Sequence, residues 1–166
     1  YMTRHRYAII DFANMGHMLF GCVAAGNEFV HINASGDLEP CAFFHYSDVN
    51  INHTTLSEAL GSSFFRHFRR NKPFSDNPHR PCPIIDVPEK LEILAQHHGV
   101  KSTHLNNPET MQELAEKTIP VASDWMLHAD KLFLEMPVKE KRKYRLFQRY
   151  LLYREKLKMH NIKENF

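Results

Sequence analysis

Residues 22 to 41 read CVAAGNEFVHINASGDLEPC, a pattern that predicts a β-hairpin with a cysteine at each end. Its two ends are cysteines in the spacing C-x13-G-x4-C. Residues 29–33 alternate large apolar and polar side chains, as a half-buried strand does. Residues 34–37 are turn chemistry in which Gly36 supplies a positive φ, and residues 38–44 are the predicted returning strand. A hairpin with this turn brings the two terminal cysteines to one place.

A third cysteine completes the set. Cys82 lies in HRPCP, at the end of a connection over residues 71–83 whose prolines exclude a helix or a central strand. Thiolates that converge on loop and hairpin ends form a soft metal site, for which iron–sulfur clusters and zinc are the usual occupants. We therefore predict that Cys22, Cys41 and Cys82 are the ligands of a metal or a cluster.

Two alternatives compete with an iron–sulfur cluster. Zinc modules usually bring their ligands in pairs about two to four residues apart, whereas these cysteines stand at positions 22, 41 and 82. A structural zinc module that contacts a partner or nucleic acid through a basic helix is the second interpretation. The third is that the thiols are unrelated, because free cysteine is among the most buried residue types.

The rest of the sequence predicts mostly helices, from the spacing of apolar residues and from the residues that cap and bound each segment. Thr54 or Thr55 ahead of Glu58 is a typical helix start. Pro120 and Pro137 are expected to separate the C-terminal helices. The predicted helices span residues 57–70, 88–98, 108–117, 122–135 and 138–158, and a short strand spans residues 7–11.

These elements predict an α+β fold. A small Cys-bearing β-hairpin with flanking helices is followed by a helical C-terminal extension. Residues 1–100 are predicted to form the cysteine domain, and residues 101–166 the extension with its basic last helix. An odd number of cysteines, with no signal peptide and no apolar run of about 18 residues, argues against a secreted disulfide scaffold and predicts a cytoplasmic protein with no membrane partner.

Charge separates the last helix from the remainder of the chain. Residues 1–137 carry a net charge of −5 and residues 138–166 a net charge of +7. Leu146, Tyr150, Tyr153 and Leu157 form one apolar stripe on this helix. We expect the stripe to pack internally and the cations to face solvent, in preference to a nucleic-acid or anionic-lipid surface. Docking of this helix on an acidic surface in another part of the parent protein is a third alternative.

The cysteine hairpin and its neighbours resemble the auxiliary-cluster domain, of the SPASM or twitch type, at the C-terminus of many radical S-adenosylmethionine enzymes. The resemblance covers about residues 7 to 98. It is carried by C-x13-G-x4-C together with IDF (10–12), GC (21–22), HIN (31–33), GD (36–37), EPC (39–41), LSEAL (56–60), FFR (64–66) and RPCPIID (80–86).

This resemblance implies one auxiliary [4Fe–4S] cluster ligated by Cys22, Cys41 and Cys82. Its role would be an electron conduit, or an open iron that anchors a substrate. His45, His79 and Asp76 are the side chains considered for a fourth ligand. The full SPASM pattern has further cysteines after the hairpin, but only Cys82 stands in that region, which is typical of the one-cluster twitch type.

A second departure concerns catalysis. The C-x3-C-x2-C motif that holds the cluster cleaving S-adenosylmethionine is absent from the sequence. The resemblance therefore implies a module that is not catalytic alone and belongs to a radical oxidoreductase or transferase. Its partner would be the barrel in a missing N-terminal part of the same protein, where S-adenosylmethionine binds, and Tyr1 at the start is compatible with truncation.

Overall fold

The computed structural model describes residues 16–163 and confirms the α+β prediction. Two small antiparallel hairpins are combined with six α-helices and one 3₁₀-helix in this part of the chain. The strand predicted over residues 7–11 lies outside the described residues. In chain order the elements are α1 (Gly16–Leu19), β1 (His31–Ile32), β2 (Leu38–Glu39), β3 (Tyr46–Ser47), α2 (Leu56–Leu60), α3 (Ser63–Arg70), the 3₁₀-helix (Pro88–Lys90), α4 (Leu91–Ala95), β4 (Lys101–Ser102), α5 (Met111–Glu135) and α6 (Val138–Lys163).

The predicted hairpin is present, but its strands are short. β1 pairs with β2 in the register His31 to Glu39 and Ile32 to Leu38, and Gly36 in the turn has a φ of 85°. Each strand has two residues, and beyond β2 the carbonyl of Pro40 accepts from the N–H of Ala25 at 2.9 Å. The second two-stranded sheet, β3 with β4, has no counterpart in the prediction, since its strands are far apart in the sequence and carry no local pairing signal.

Aromatic side chains form the centre of the core. Phe44, Phe64 and Phe68 are at most 1% exposed. The ring centroid of Phe68 lies 5.8 Å from that of Phe44 and 5.1 Å from that of Phe74. Phe44 follows Cys41 by three residues, so the packing of its ring fixes the end of the cysteine hairpin against α3.

The predicted helix over residues 57–70 is divided in two, and the prediction of one helix is wrong. α2 ends at Gly61, whose N–H donates to the carbonyls of Ser57 and Glu58. Ser62 then caps α3 by accepting from the N–H of Phe65. The divided helix turns Phe64 and Phe68 into the core. The start is as predicted, since Thr55 and Glu58 form a capping box.

In the C-terminal part, two predicted helices are joined into one. Residues 108–117 and 122–135 were predicted as separate helices, but α5 runs through Pro120 without a break. Proline removes one N–H, and the carbonyl of Glu116 that loses this partner lies on an exposed part of the helix, where water can replace it. The predicted helix over 88–98 is shorter, a 3₁₀ turn followed by α4.

Helix α6 confirms the predicted basic helix, but its apolar stripe is not packed internally as expected. Tyr150 and Tyr153 are 51% and 59% exposed. The opposite side of the helix faces the protein, since Tyr144 and Gln148 are buried there. Within residues 16–163 we find no helix with both the length and the hydrophobicity that crossing a membrane requires.

Replacing Thr110 by alanine is expected to lower the free energy of unfolding by about 1 kcal/mol. The hydroxyl of Thr110 accepts from the N–H of Glu113 at 3.2 Å and caps the long helix α5. The matched control is Thr118→Ala in the same helix, where the hydroxyl only bonds to carbonyls within the helix and alanine is the better helix former. Urea unfolding should show a loss for Thr110→Ala alone; equal losses would contradict the capping argument.

Candidate metal centre

The three predicted cysteines line one cavity. Its volume is about 340 Å³, and all three side chains are free thiols of intermediate exposure. After burial, a negative charge on Cys22 would also raise the pKa of both other thiols, so Cys22 lies near each of them. The remaining lining residues are all apolar or glycine: Gly16, Leu19, Gly21, Val23, Ala24, Phe29, Phe43, Pro81, Ile84 and Ile85.

Cys41 and Cys82 occupy similar turns. The N–H of Phe43, two positions on, faces the thiol of Cys41 and lowers its pKa, and the N–H of Phe44 donates to the carbonyl of Cys41 at 3.1 Å. The thiol of Cys82 receives them from Ile84, at 3.4 Å, and from Ile85. Hydrogen bonds of this kind stabilise a thiolate and tune the clusters that thiolates hold.

Burial has the opposite effect on the pKa of these thiols and outweighs the hydrogen bonds. It raises the pKa of Cys41 to about 11 and also raises the pKa of Cys82. Without a bound cation, both groups are therefore protonated at neutral pH. A metal or cluster that binds here must displace those protons, so its affinity should fall as the pH falls.

Two cationic side chains, which no motif in the sequence indicates, hold the Cys22 segment. Lys72 is 8% exposed, and its Nζ donates to the carbonyls of Cys22 at 2.9 Å and Ala24 at 2.6 Å. Arg69 donates to the carbonyl of Ala25 at 2.9 Å. Both cations come from the C-terminal end of α3 or just after it, so that helix positions Cys22.

The Cys82 segment is closed by a buried carboxylate. Asp86 is 3% exposed, and its Oδ2 accepts from the N–H of Cys82 at 2.8 Å. Arg80 donates from Nη2 to the carbonyl of Asp86 at 2.9 Å. Burial raises the pKa of Asp86 to about 6, although the Cys82 N–H and Arg80 favour the ionised form. The sequence motif RPCPIID contains Asp86, but residue type and spacing do not predict that this carboxylate positions Cys82.

Replacing Asp86 by asparagine is expected to change how stability depends on pH. The pKa of Asp86 is higher in the folded chain, about 6, than its ordinary value of 3.8. The wild type therefore pays a cost as the pH rises through this window, because the folded state resists ionisation, and the cost is complete above about pH 6. Asparagine keeps an oxygen for the Cys82 N–H and carries no charge.

The free energy of unfolding of Asp86→Asn, relative to wild type, should rise by up to about 3 kcal/mol between pH 4 and pH 7. Urea unfolding at both pH values, on both proteins, measures this difference. All other titrating groups are shared by the two proteins and cancel. A difference that stays constant or falls over this range would contradict the assigned pKa.

A second buried carboxylate braces the hairpin behind Cys41. Glu39 is fully buried and accepts from His31 Nδ1 at 2.8 Å and His45 Nδ1 at 3.3 Å through one oxygen. Its other oxygen accepts from Asn33 at 3.1 Å and from Thr103. Burial alone would raise the pKa of Glu39, but the hydrogen bonds from Thr103, His31 and Asn33 outweigh it and lower the pKa. These bonds tie β2 to the residues after β4.

The three side chains considered as a fourth ligand do not line the cysteine cavity. His45 lines a separate polar cavity of about 400 Å³ together with His31 and Glu39. His79 is held by its backbone, whose carbonyl accepts from Trp125 at 2.8 Å. Asp76 lies close enough to Tyr144 to contribute, after burial, to a raised pKa of that phenol. Across residues 16–163, no three His, Cys, Asp or Glu side chains are arranged to hold one metal ion.

The cysteine cavity fits a cluster by its chemistry and by its size. Its only polar side-chain donors in the described lining are three sulfur atoms, which are the ligands that iron–sulfur clusters take. A water molecule occupies about 30 Å³ of liquid volume, so the cavity has room for a polyatomic group.

Comparison with protein-family models, with curated proteins and with solved structures gives no match for this chain. Its function must therefore be inferred from the geometry of its own residues.

Proposed function

We propose that this chain binds an auxiliary [4Fe–4S] cluster through Cys22, Cys41 and Cys82, as the C-terminal portion of a radical S-adenosylmethionine enzyme. One observation carries the proposal: three cysteines that are distant in sequence line a single apolar cavity. Two of them lie in turns that aim backbone N–H groups at sulfur. Unrelated thiols would have no reason to share either feature.

The cavity favours a cluster over a single zinc ion. Zinc draws its ligands to within about 2.3 Å of one point, whereas a cluster spreads its thiolates over several irons and needs space between them. The cavity of about 340 Å³ provides that space. The structural zinc module stays as the second candidate and makes different predictions in the experiment below.

The number of thiols suggests the role. A cubane cluster has four irons, and this chain supplies three cysteines. When bound, the cluster would supply either electron transfer or a Lewis-acidic iron with a free position. Lys72 and Asp86 would act as positioning residues, since each is hydrogen-bonded to the backbone of Cys22 or Cys82. Glu39, two residues before Cys41, would fix the hairpin that carries the third thiolate through its bond to His31. S-adenosylmethionine would bind only in the rest of the parent protein.

Anaerobic reconstitution of the purified chain with iron and sulfide tests the proposal. We expect about four irons and four sulfides per chain and a broad absorption near ~400 nm. Equimolar zinc in a colourless protein without sulfide would replace the proposal with the zinc module. If neither metal binds, a cofactor-free interaction domain becomes the better interpretation.

A further inference from the structure

Helix α6 presents a surface that the cysteine site does not use. Leu146, Tyr150, Tyr153 and Leu157 are 55%, 51%, 59% and 45% exposed. With 3.6 residues per turn, their spacing of four, three and four residues places them in one stripe about 60° wide. Contiguous exposed apolar groups mark a surface that another molecule covers.

The width of the stripe indicates what covers it. An amphipathic helix that packs on a globular core has an apolar face about 100° wide or more, and only a coiled-coil seam is narrower. Alternating steps of four and three residues are the spacing of that seam. The geometry of the stripe therefore matches a second amphipathic helix better than a membrane surface.

The charges beside the stripe indicate the chemistry of that helix. Arg142, Arg149 and Lys156 are seven residues apart and follow one edge of the stripe, while Arg154 lies on the other edge and Lys143 continues the row of Tyr150 and Leu157. All five side chains are exposed. A partner helix with aspartate and glutamate beside its own apolar stripe would be electrostatically complementary.

A second copy of this chain is disfavoured as the occupant. In a parallel pair, Arg149 of one helix would face Arg154 of the other. In an antiparallel pair, the edges that carry Arg142, Arg149 and Lys156 would face each other. Both arrangements bring like charges together, which is destabilising.

The other faces of α6 hold the helix in place. The ring of Phe147, which borders the stripe 6.0 Å from that of Tyr150, lies 4.3 Å from the ring of Phe20, and Gln148 on the opposite face donates to the carbonyl of Phe20. The hydroxyl of Tyr144 donates to the carbonyl of Ser75 at 3.4 Å. The stripe is thus presented by an anchored helix, which lowers the entropy that a partner must overcome on binding.

We propose that the stripe of α6 is a docking site for an amphipathic helix whose apolar seam is bordered by acidic residues. The docking requires the apolar stripe and its cationic edges together. It does not depend on what the cysteine cavity binds.

Fluorescence anisotropy with a labelled peptide of about four heptads tests the proposal. The peptide has leucine and isoleucine in its seam and glutamate on both edges. A second peptide carries lysine on the edges, and a third has the acidic composition in scrambled order. We expect the chain to bind the acidic peptide, more weakly as salt is added, and to bind the other two at least tenfold more weakly.

Variants separate the two parts of the surface. R149E/K156E should weaken binding of the acidic peptide at least tenfold and strengthen binding of the lysine peptide, a reversal that damage to the fold would not produce. Tyr150→Ala should weaken binding without changing the preference between peptides. The control is Lys131→Glu on α5, also exposed, which should leave both affinities unchanged.

The proposal would be overturned if the acidic and scrambled peptides bound equally, or if neither bound. An unchanged peptide preference in R149E/K156E would also overturn it, as would dimerisation through the stripe, seen by sedimentation velocity and lost in Tyr150→Ala. The same holds if the chain bound phosphatidylserine vesicles or an oligonucleotide in place of the acidic peptide. The last would assign the surface to a membrane or to nucleic acid.

Discussion

Replacing any one of Cys22, Cys41 and Cys82 by serine is expected to reduce reconstituted iron from about four per chain to near zero. Serine keeps the size of the side chain but removes the soft thiolate that iron prefers. The three cysteines line the same cavity, and the other described lining residues offer no side-chain ligand to replace a missing sulfur. Each variant should therefore lose the ~400 nm absorption and the bound sulfide together.

The controls for this experiment separate ligand loss from misfolding. His45→Asn and His79→Asn should retain the iron, because neither side chain lines the cysteine cavity. Far-UV circular dichroism of the metal-free serine variants should match that of the metal-free wild type, since the core phenylalanines are untouched. Full iron content in any serine variant would remove that cysteine from the ligand set, and loss of iron in a histidine variant would add a ligand.

The second large effect is expected in the core. Replacing Phe68 by alanine should lower the free energy of unfolding by about 3–5 kcal/mol, the usual result of deleting a buried aromatic ring. Phe68 is 1% exposed, its ring packs on those of Phe44 and Phe74, and the Nζ of Lys72 lies 5.3 Å from its centroid. A loss of this size would leave little of a typical domain's stability.

The same substitution at an exposed ring is the matched control. Phe43 is 75% exposed, and Phe43→Ala should change the free energy of unfolding by no more than about 0.5 kcal/mol. Urea denaturation of the metal-free chain measures both variants. Comparable losses at positions 43 and 68 would mean that the aromatic core described above does not carry the fold.

The core also connects stability to the site. Lys72, which contacts the ring of Phe68, donates to the carbonyl of Cys22, and Phe44 follows Cys41 in the turn that faces the cavity. Phe68→Ala should therefore reduce the yield of reconstituted cluster as well as the free energy of unfolding. Phe43→Ala leaves these core contacts intact; because its side chain lines the cysteine cavity, it is a control for the free energy of unfolding only.

Local sequence was sufficient for features in which neighbouring residues determine the backbone. Gly36 fixed the position of the turn, and Thr55 with Glu58 fixed the start of α2. Local patterns failed where the same residues are compatible with one continuous helix and with two separate helices. Gly61 and Ser62 end one helix and begin another, whereas Pro120 interrupts nothing. The predicted domain boundary near residue 100 stays a prediction. Helix α5, which follows this boundary, packs on α4 and the 3₁₀-helix, which precede it.

Residue type and spacing were enough to predict the three cysteines, the turn that returns Cys41 towards Cys22, and the basic helix with its apolar stripe, because these features depend on residues a few positions apart. Long-range packing established that Cys82 lines the same cavity as the other two and that the stripe of α6 faces outward. It also established that Lys72 and Asp86 hold the Cys22 and Cys82 segments and that Glu39 holds the hairpin. These contacts join residues far apart in the chain, and they depend on how the phenylalanine core packs, which no local pattern encodes.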